Sequence, residues 1–324
     1  MSESGKNKGG RITFVVGLVL LVLAGVYLFA DPEQLQDFSE HISNAPLWAI
    51  LVVVIGPVAN WVCVGLCLHA LMRRHGQVGS GEMLMLVGSA WLLNHLPMRP
   101  GLVGRIGYHA KVNQIRVRDS VEASVWSVVL AGGANAVILG LMLLVPVESS
   151  IWSLVLVLLI PLGVLIALSA AAFMRSQRLG FLCLGMVYRY ADVLVWAIRY
   201  TGAFAMLGVS ISPVGIALIT AASQIAQLNP FTGAGFGFRE WGVGLAARLP
   251  VSGVGITMRS AIGGDVINRI AETIVVVPLG LVCTSLVAKR FVDRNADPAT
   301  DADSAEHDPA HDAQDQNAPG QPSQ

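Results

Sequence analysis

The chain has 324 residues, 54% of them hydrophobic and only 13% charged, and its 21 basic and 21 acidic side chains balance to a formal net charge of zero. Soluble domains carry roughly 25% charged residues, so the composition argues against a soluble enzyme and for a membrane protein. The neutral total hides an asymmetry, because the internal loops are basic while the carboxy-terminal end is acidic.

The apolar residues come in blocks of about 18 to 28, long enough at 1.5 Å per residue to cross about 30 Å of hydrocarbon. The first, Ile12 to Ala30, follows Lys6, Lys8 and Arg11. It is too long for a secretory signal and runs into Asp31-Pro32-Glu33 rather than a small-residue cleavage site, which predicts a retained signal-anchor helix. Asp31 to Asn44 is acidic and polar. A second block, Pro46 to Met72, ends in Arg73-Arg74-His75. Lys and Arg favour cytoplasmic loops, so the amino terminus and the Arg73 loop are expected inside.

Met83 to Leu96 is apolar but too short to span comfortably. It leads into Pro97, Arg99, Pro100, Gly101, Gly104 and Arg105, then Lys111, Arg116 and Arg118. A full crossing would put those basic residues outside, so a re-entrant hairpin is predicted. Spans follow at Val121 to Val147, Ile151 to Met174 and within Phe181 to Val209. The last of these carries Arg189, Asp192 and Arg199, which must face protein, water or headgroups. A second short apolar piece, Val214 to Leu228, breaks at Asn229-Pro230, and a final span, Ala261 to Ala288, ends in Lys289-Arg290.

The predicted fold is therefore an all-α polytopic membrane protein. It has about six full spans and two broken helical segments that enter from opposite sides, as in an inverted repeat, and both termini are cytoplasmic in the cell inner membrane. Arg239, Arg248 and Arg259 fall near the outer side of this topology, against the charge bias. Residues 1–11 form a cytoplasmic amino terminus, 12–290 the membrane domain, and 291–324 an acidic tail too poor in apolar residues to build a core. His307 and His311 lie in that tail and read as solvated. Cys63, Cys67, Cys183 and Cys283 sit in apolar stretches as small hydrophobes, and no metal or cofactor is expected.

The two broken segments read LNHLPMRPGLVGR, Leu93 to Arg105, and QLNPFTGAGFGFRE, Gln227 to Glu240. Each places an Asn near a Pro, then glycines, then an Arg. Proline removes a backbone donor and glycine tolerates unusual dihedrals, so both are places where a helix stops. Unwound backbone at membrane depth is tolerated only inside protein or beside a wet cavity. Two such interruptions at corresponding places are a sequence pointer to a transporter binding site. Arg99, Arg105 and Arg239, with the helix amino termini, suit a lipid phosphate. His95 reads as a hydrogen-bonded residue of the break. Glycines 233 to 237 lack the spacing of a nucleotide-binding loop. Arg269 and Glu272, one turn apart, either form an ion pair or close the cavity beside Glu240, and Asp265 and Asn268 read as solvated. No catalytic constellation stands out, so no enzyme is expected.

At these residues the chain resembles the flippase-like integral membrane family, also described as the lysylphosphatidylglycerol synthase transmembrane region. Asn94, Pro97, Arg99, Gly101 and Arg105 match its Asn-x-x-Pro-x-Arg-x-Gly-Glu pattern and following Arg, with Leu102 where Glu is usual. Pro230, Gly235, Gly237, Arg239 and Glu240 match a later pattern with Ala234 in place of one glycine, and Arg269 and Glu272 resemble its closing Arg-x-x-Glu. The resemblance implies a domain that moves modified phospholipids or lipid-linked sugars between leaflets. No stretch outside the membrane blocks is long enough for the aminoacyl-transferase domain fused in some members, so lipid aminoacylation is not expected of this chain. The function expected is thus a lipid flippase whose partner is an anionic lipid or lipid-linked headgroup, bound also through Asn94, Asn229 and the glycine backbone. No nucleotide motif is visible, so movement is expected to be downhill or ion-coupled. The alternative is a non-transporting membrane partner that presents lipid to a separate glycosyltransferase or lipid-modifying enzyme.

Overall fold

A computed structural model describes residues 3–30, 32–96, 99–144, 151–228, 235–249 and 256–296; among them it contains eleven α-helices and no strand. In chain order these are α1 (Glu3–Phe29), α2 (Pro32–Ser43), α3 (Leu47–Met72), α4 (Ser80–Leu93), α5 (Pro100–Lys111), α6 (Val117–Leu144), α7 (Ile151–Arg175), α8 (Gln177–Met206), α9 (Pro213–Ala226), α10 (Phe238–Ala246) and α11 (Met258–Ala296). Pro97, Asn229, Pro230 and the tail from residue 297 lie outside the described residues.

Helices α3, α6, α7, α8 and α11 are long and apolar enough to cross a membrane, and the described apolar part of α1 is the shorter stretch Val15–Phe29. Burial runs opposite to that of a soluble protein. Ile55, Val125, Ile166 and Leu281 are exposed, whereas Asn60, Asp192, Arg199, Arg239, Glu240, Asp265 and Asn268 are buried. Hydrocarbon accepts the first group, and only other protein groups satisfy the second. The protein is a polytopic helical membrane protein.

One element departs from expectation. The acidic segment after the first span is a helix, α2, started by Pro32 and Glu33 and carrying His41 in its last turn. Proline suits a first helical position and acid suits a helix amino terminus. Phe38 and Ile42 lie one turn apart, and Phe38 lies near Gly263.

The two short pieces are helical hairpins. At 1.5 Å per residue, the 14 residues of α4 and 12 of α5 are each too short to cross hydrocarbon alone. They fold back on each other, with Gly101 against the backbone of Ala90 and the Asn113 amide donating to Glu82 at 3.1 Å. In the second hairpin Gly235 lies against Ala226 and Gln227, and Gly242 near Ala222.

At the centre α3 and α8 pack antiparallel. Gly202 meets Ala49, Gly56 receives the side chain of Arg199, and Asn60 faces Asp192. The packings around this pair obey an exchange rule in which α3, α4, α5 and α6 map onto α8, α9, α10 and α11. Thus α4 packs on α11 as α9 packs on α6, and α3 touches both α6 and α11 as α8 does. Each hairpin reaches across to the last helix of the other unit. Outside this scheme α7 flanks α8, and α1 flanks α10 and α11.

The crossing of α4 and α11 is close because both helices carry glycine there. A Cβ on Gly88 would lie 2.6 Å from Cys283 Sγ and 3.2 Å from the Trp61 indole nitrogen, and Gly280 meets Leu92. Small residues drive such contacts when lipid offers no hydrophobic gain from helix association. Gly88→Leu is therefore expected to destabilise the bundle by about 1–3 kcal/mol, read as a lower midpoint in a detergent-denaturation titration of the purified protein.

Candidate functional site

The first break is shaped by its own sequence. Asn94 caps the end of α4, and its side-chain oxygen accepts from the backbone N–H of Leu102 at 3.2 Å, a donor shared with the Arg99 carbonyl at 3.1 Å, so the side chain ties the end of α4 to the first turn of α5. Arg99 stands immediately before that helix in a left-handed conformation, φ 48° and ψ 58°, with Pro100 at the first helical position. A non-glycine residue in this region costs about 1–3 kcal/mol and points to functional use of the geometry. The His95 ring bonds the carbonyl of Trp91 at 2.9 Å and lies edge-on to Phe236 of the second break. At that second break Gly235 and Gly237 both take positive φ, and Gly237 sits against the backbone of Gly17 in α1.

The two breaks meet on one polar cavity of about 240 Å³. The first contributes Asn94, His95 and Arg99, and the second contributes Gln227 and Leu228. Between them stand Trp91, Arg189, Asp192, Trp196, Gln224 and Glu272. The Gln224 side-chain oxygen accepts from Asn135 at 3.1 Å, and its buried nitrogen has no hydrogen-bond partner among the described residues. The lining therefore offers two guanidiniums, two carboxylates, several amides and two indoles, a set suited to a polar headgroup that carries a phosphate together with other polar groups.

A buried ionic network starts in the cavity lining, at Arg189, Asp192 and Glu272, and runs on behind it. Arg189 donates to Ser127 and, at 3.0 Å, to Asp192, and Asp192 accepts from Asn60 at 2.7 Å. Asn60 accepts from Arg199 at 2.9 Å, and Arg199 lies 3.7 Å from Glu272. Glu272 accepts from Arg239 at 3.0 Å, and Arg239 donates to Asp265 at 2.7 Å. Tyr200 donates to the same Asp265 at 2.6 Å. Arg199 and Arg239 also share the Trp196 ring, at 4.2 and 5.1 Å from its centroid. A separate pair joins Arg269 to Glu240 at 2.8 Å, with Arg269 over Phe236.

This arrangement divides the residues singled out by sequence. Asn94, Arg99 and Glu272 come together on the cavity. Gly101, Gly235 and Gly237 let the hairpins close. Arg239 is buried under two carboxylates and lies behind the lining, while Arg105 faces the other side of the first hairpin and donates to Ser124 at 2.9 Å. Arg269 and Glu272 do not pair with each other, because each finds its partner on the second hairpin. Asp265 and Asn268, read as solvated, are fully buried. Sequence reasoning left out Asn60, Trp196, Tyr200 and Gln224. The available signal was helical spacing, since Arg189, Asp192, Trp196 and Arg199 recur at intervals of three and four along α8, as do Asp265, Asn268 and Glu272 along α11. Arg259, awkward for the expected topology, donates to the carbonyl of Tyr27 at 3.1 Å.

One group among the described residues has ligand atoms close enough for a metal ion: His75, Asp119 and Glu122, within 4.8 Å of one another. Arg74 lies 3.9 Å from Glu122 in the same cluster, so the group already carries its own cation.

No family model, curated protein or solved structure matches this chain.

Glu272 holds two guanidiniums that share one indole. Glu272→Gln is expected to cost about 3–5 kcal/mol, the range for removing one partner of a buried pair. Adding Arg199→Met should restore part of that loss, and a double-mutant cycle on thermal stability measures the coupling.

Proposed function

We propose that this protein is a lipid flippase that moves a phospholipid or lipid-linked sugar between leaflets, with the headgroup passing through the cavity between the two hairpins. The observation that carries this reading is the convergence of both broken segments on one polar cavity inside an otherwise lipid-facing bundle. Arg99 is the residue assigned to the phosphate. Its position ahead of α5 adds a full charge to the partial positive charge of a helix start. Asn94, Gln224 and Gln227 would take hydroxyl, amide or ammonium groups, and Asp192 and Glu272 favour a headgroup that is more than a bare anion.

In this reading the membrane is the cell inner membrane, both termini are cytoplasmic and the hairpins enter from opposite faces. The antiparallel α3–α8 pair and the exchange rule of the packings support two units of inverted orientation, the arrangement in which transporters place substrate near the midplane. The resemblance at both breaks to the flippase-like family supports the same class of substrate.

Reconstitution into vesicles carrying fluorescent phospholipids or polyprenyl lipids tests the proposal. Wild-type protein is expected to accelerate leaflet exchange of at least one phosphate-bearing lipid. Arg99→Ala should lower that exchange by about tenfold or more, since a charge-assisted hydrogen bond is worth about 1.5–3 kcal/mol, without changing the melting temperature downward. Arg105→Ala should exchange at close to the wild-type rate. Protein-independent exchange for every lipid would instead favour a non-transporting partner of a lipid-modifying enzyme.

A further inference from the structure

The first hairpin has a second face. While Trp91 and Asn94 of α4 look into the polar cavity, Leu86, Ala90 and Leu93 look the other way, into a groove of about 490 Å³ closed by α5 and the end of α11. We propose that this groove binds one acyl chain of an anionic phospholipid, with the phosphate held by Lys111 at its mouth.

Three observations carry the assignment. The groove is hollow because α5 presents glycine toward it: a Cβ at Gly104 or Gly107 would come within 4 Å of nothing beyond its own turn of helix. Its walls are apolar, and at roughly 30 Å³ per water-sized group it has room for about sixteen such groups, the scale of one fatty-acyl chain. Its charges have a single sign. Lys111 and Arg105 line it, and among its described lining residues there is no carboxylate. The Lys111 ammonium stands 5.9 Å from the centroid of the Phe291 ring, so the cation is placed where the groove ends on α11. Arg116 follows in the adjoining connection and Arg118 in the first turn of α6, which is how a chain marks the level of anionic headgroups. A zwitterionic lipid would fill the same groove without using these charges, and the proposal therefore commits to the anionic class. Occupancy would wedge the first hairpin against α11 and is independent of whether a headgroup crosses the cavity.

The full chain, extracted from vesicles of equal parts phosphatidylglycerol and phosphatidylcholine, is examined for retained lipid by native mass spectrometry and for melting temperature with each lipid added back. Wild type should retain phosphatidylglycerol in preference and melt higher with it. Lys111→Gln should reduce that preference by about fivefold, from about 1 kcal/mol per basic residue at the surface. Gly104→Leu, which fills the groove from an exposed position, should lose retention of both lipids and the melting shift. If Gly104→Leu does not fold, Gly107→Leu serves in its place. Equal retention of the two lipids by wild type would mean annular lipid only and would overturn the proposal, as would phosphatidylglycerol retention unchanged in both the lysine and the glycine variants.

Discussion

A guanidinium cannot be left unpaired in hydrocarbon, and much of this bundle is arranged around that fact. Arg189, Arg199, Arg239 and Arg269 are matched by Asp192, Glu272, Asp265 and Glu240, with Asn60 and Tyr200 filling positions between them. Because the partners lie on α3, α8, α10 and α11, the ion pairs fix which helices adjoin. Buried pairs of this kind contribute little net stability against an apolar replacement, but breaking one leaves an uncompensated charge. Their effect is on which arrangement forms, since alternative packings of the same helices would strand a charge.

The two hairpins are held by different forces. The second is clamped to α11 by Arg239 and Glu240. The first depends on close packing at Gly101, on Asn94 closing its own break, and on the Asn113–Glu82 bond. The exchange rule relating the units is thus one of shape and not of chemistry. In one unit the arginine after the break is consumed by carboxylates, and in the other it lines the cavity. That difference explains why three arginines that look alike in sequence have three separate environments.

Spans and breaks were legible because each has a local cause: apolar length for the spans, and proline or glycine at the end of a short apolar run for the hairpins. Met83 to Leu96 and Val214 to Leu228 both become short helices that turn back, as their lengths require. What stayed hidden depends on partners far apart in the chain. Arg239 resembled a phosphate ligand until Asp265 and Glu272 were seen against it, and Asp265 read as solvated because its partners lie on α8 and α10. Helix α2 was hidden for another reason: an acidic segment opened by proline reads equally as a loop, and only Phe38 and Ile42, one turn apart, separate the two.

The contact between the first helix and the second hairpin bears on how the chain assembles. Gly237 lies on Gly17, Trp241 donates to the carbonyl of Leu20, and Arg259 to that of Tyr27. These groups are separated by more than two hundred residues, so α1 leaves the ribosome long before α10 and α11 exist for it to pack against. Until those helices are made it has earlier elements such as α2 to touch, and its main docking surface is still missing. Its docking then covers the glycine turn of the last hairpin to form, which makes the earliest helix to be made one of the latest to find its place.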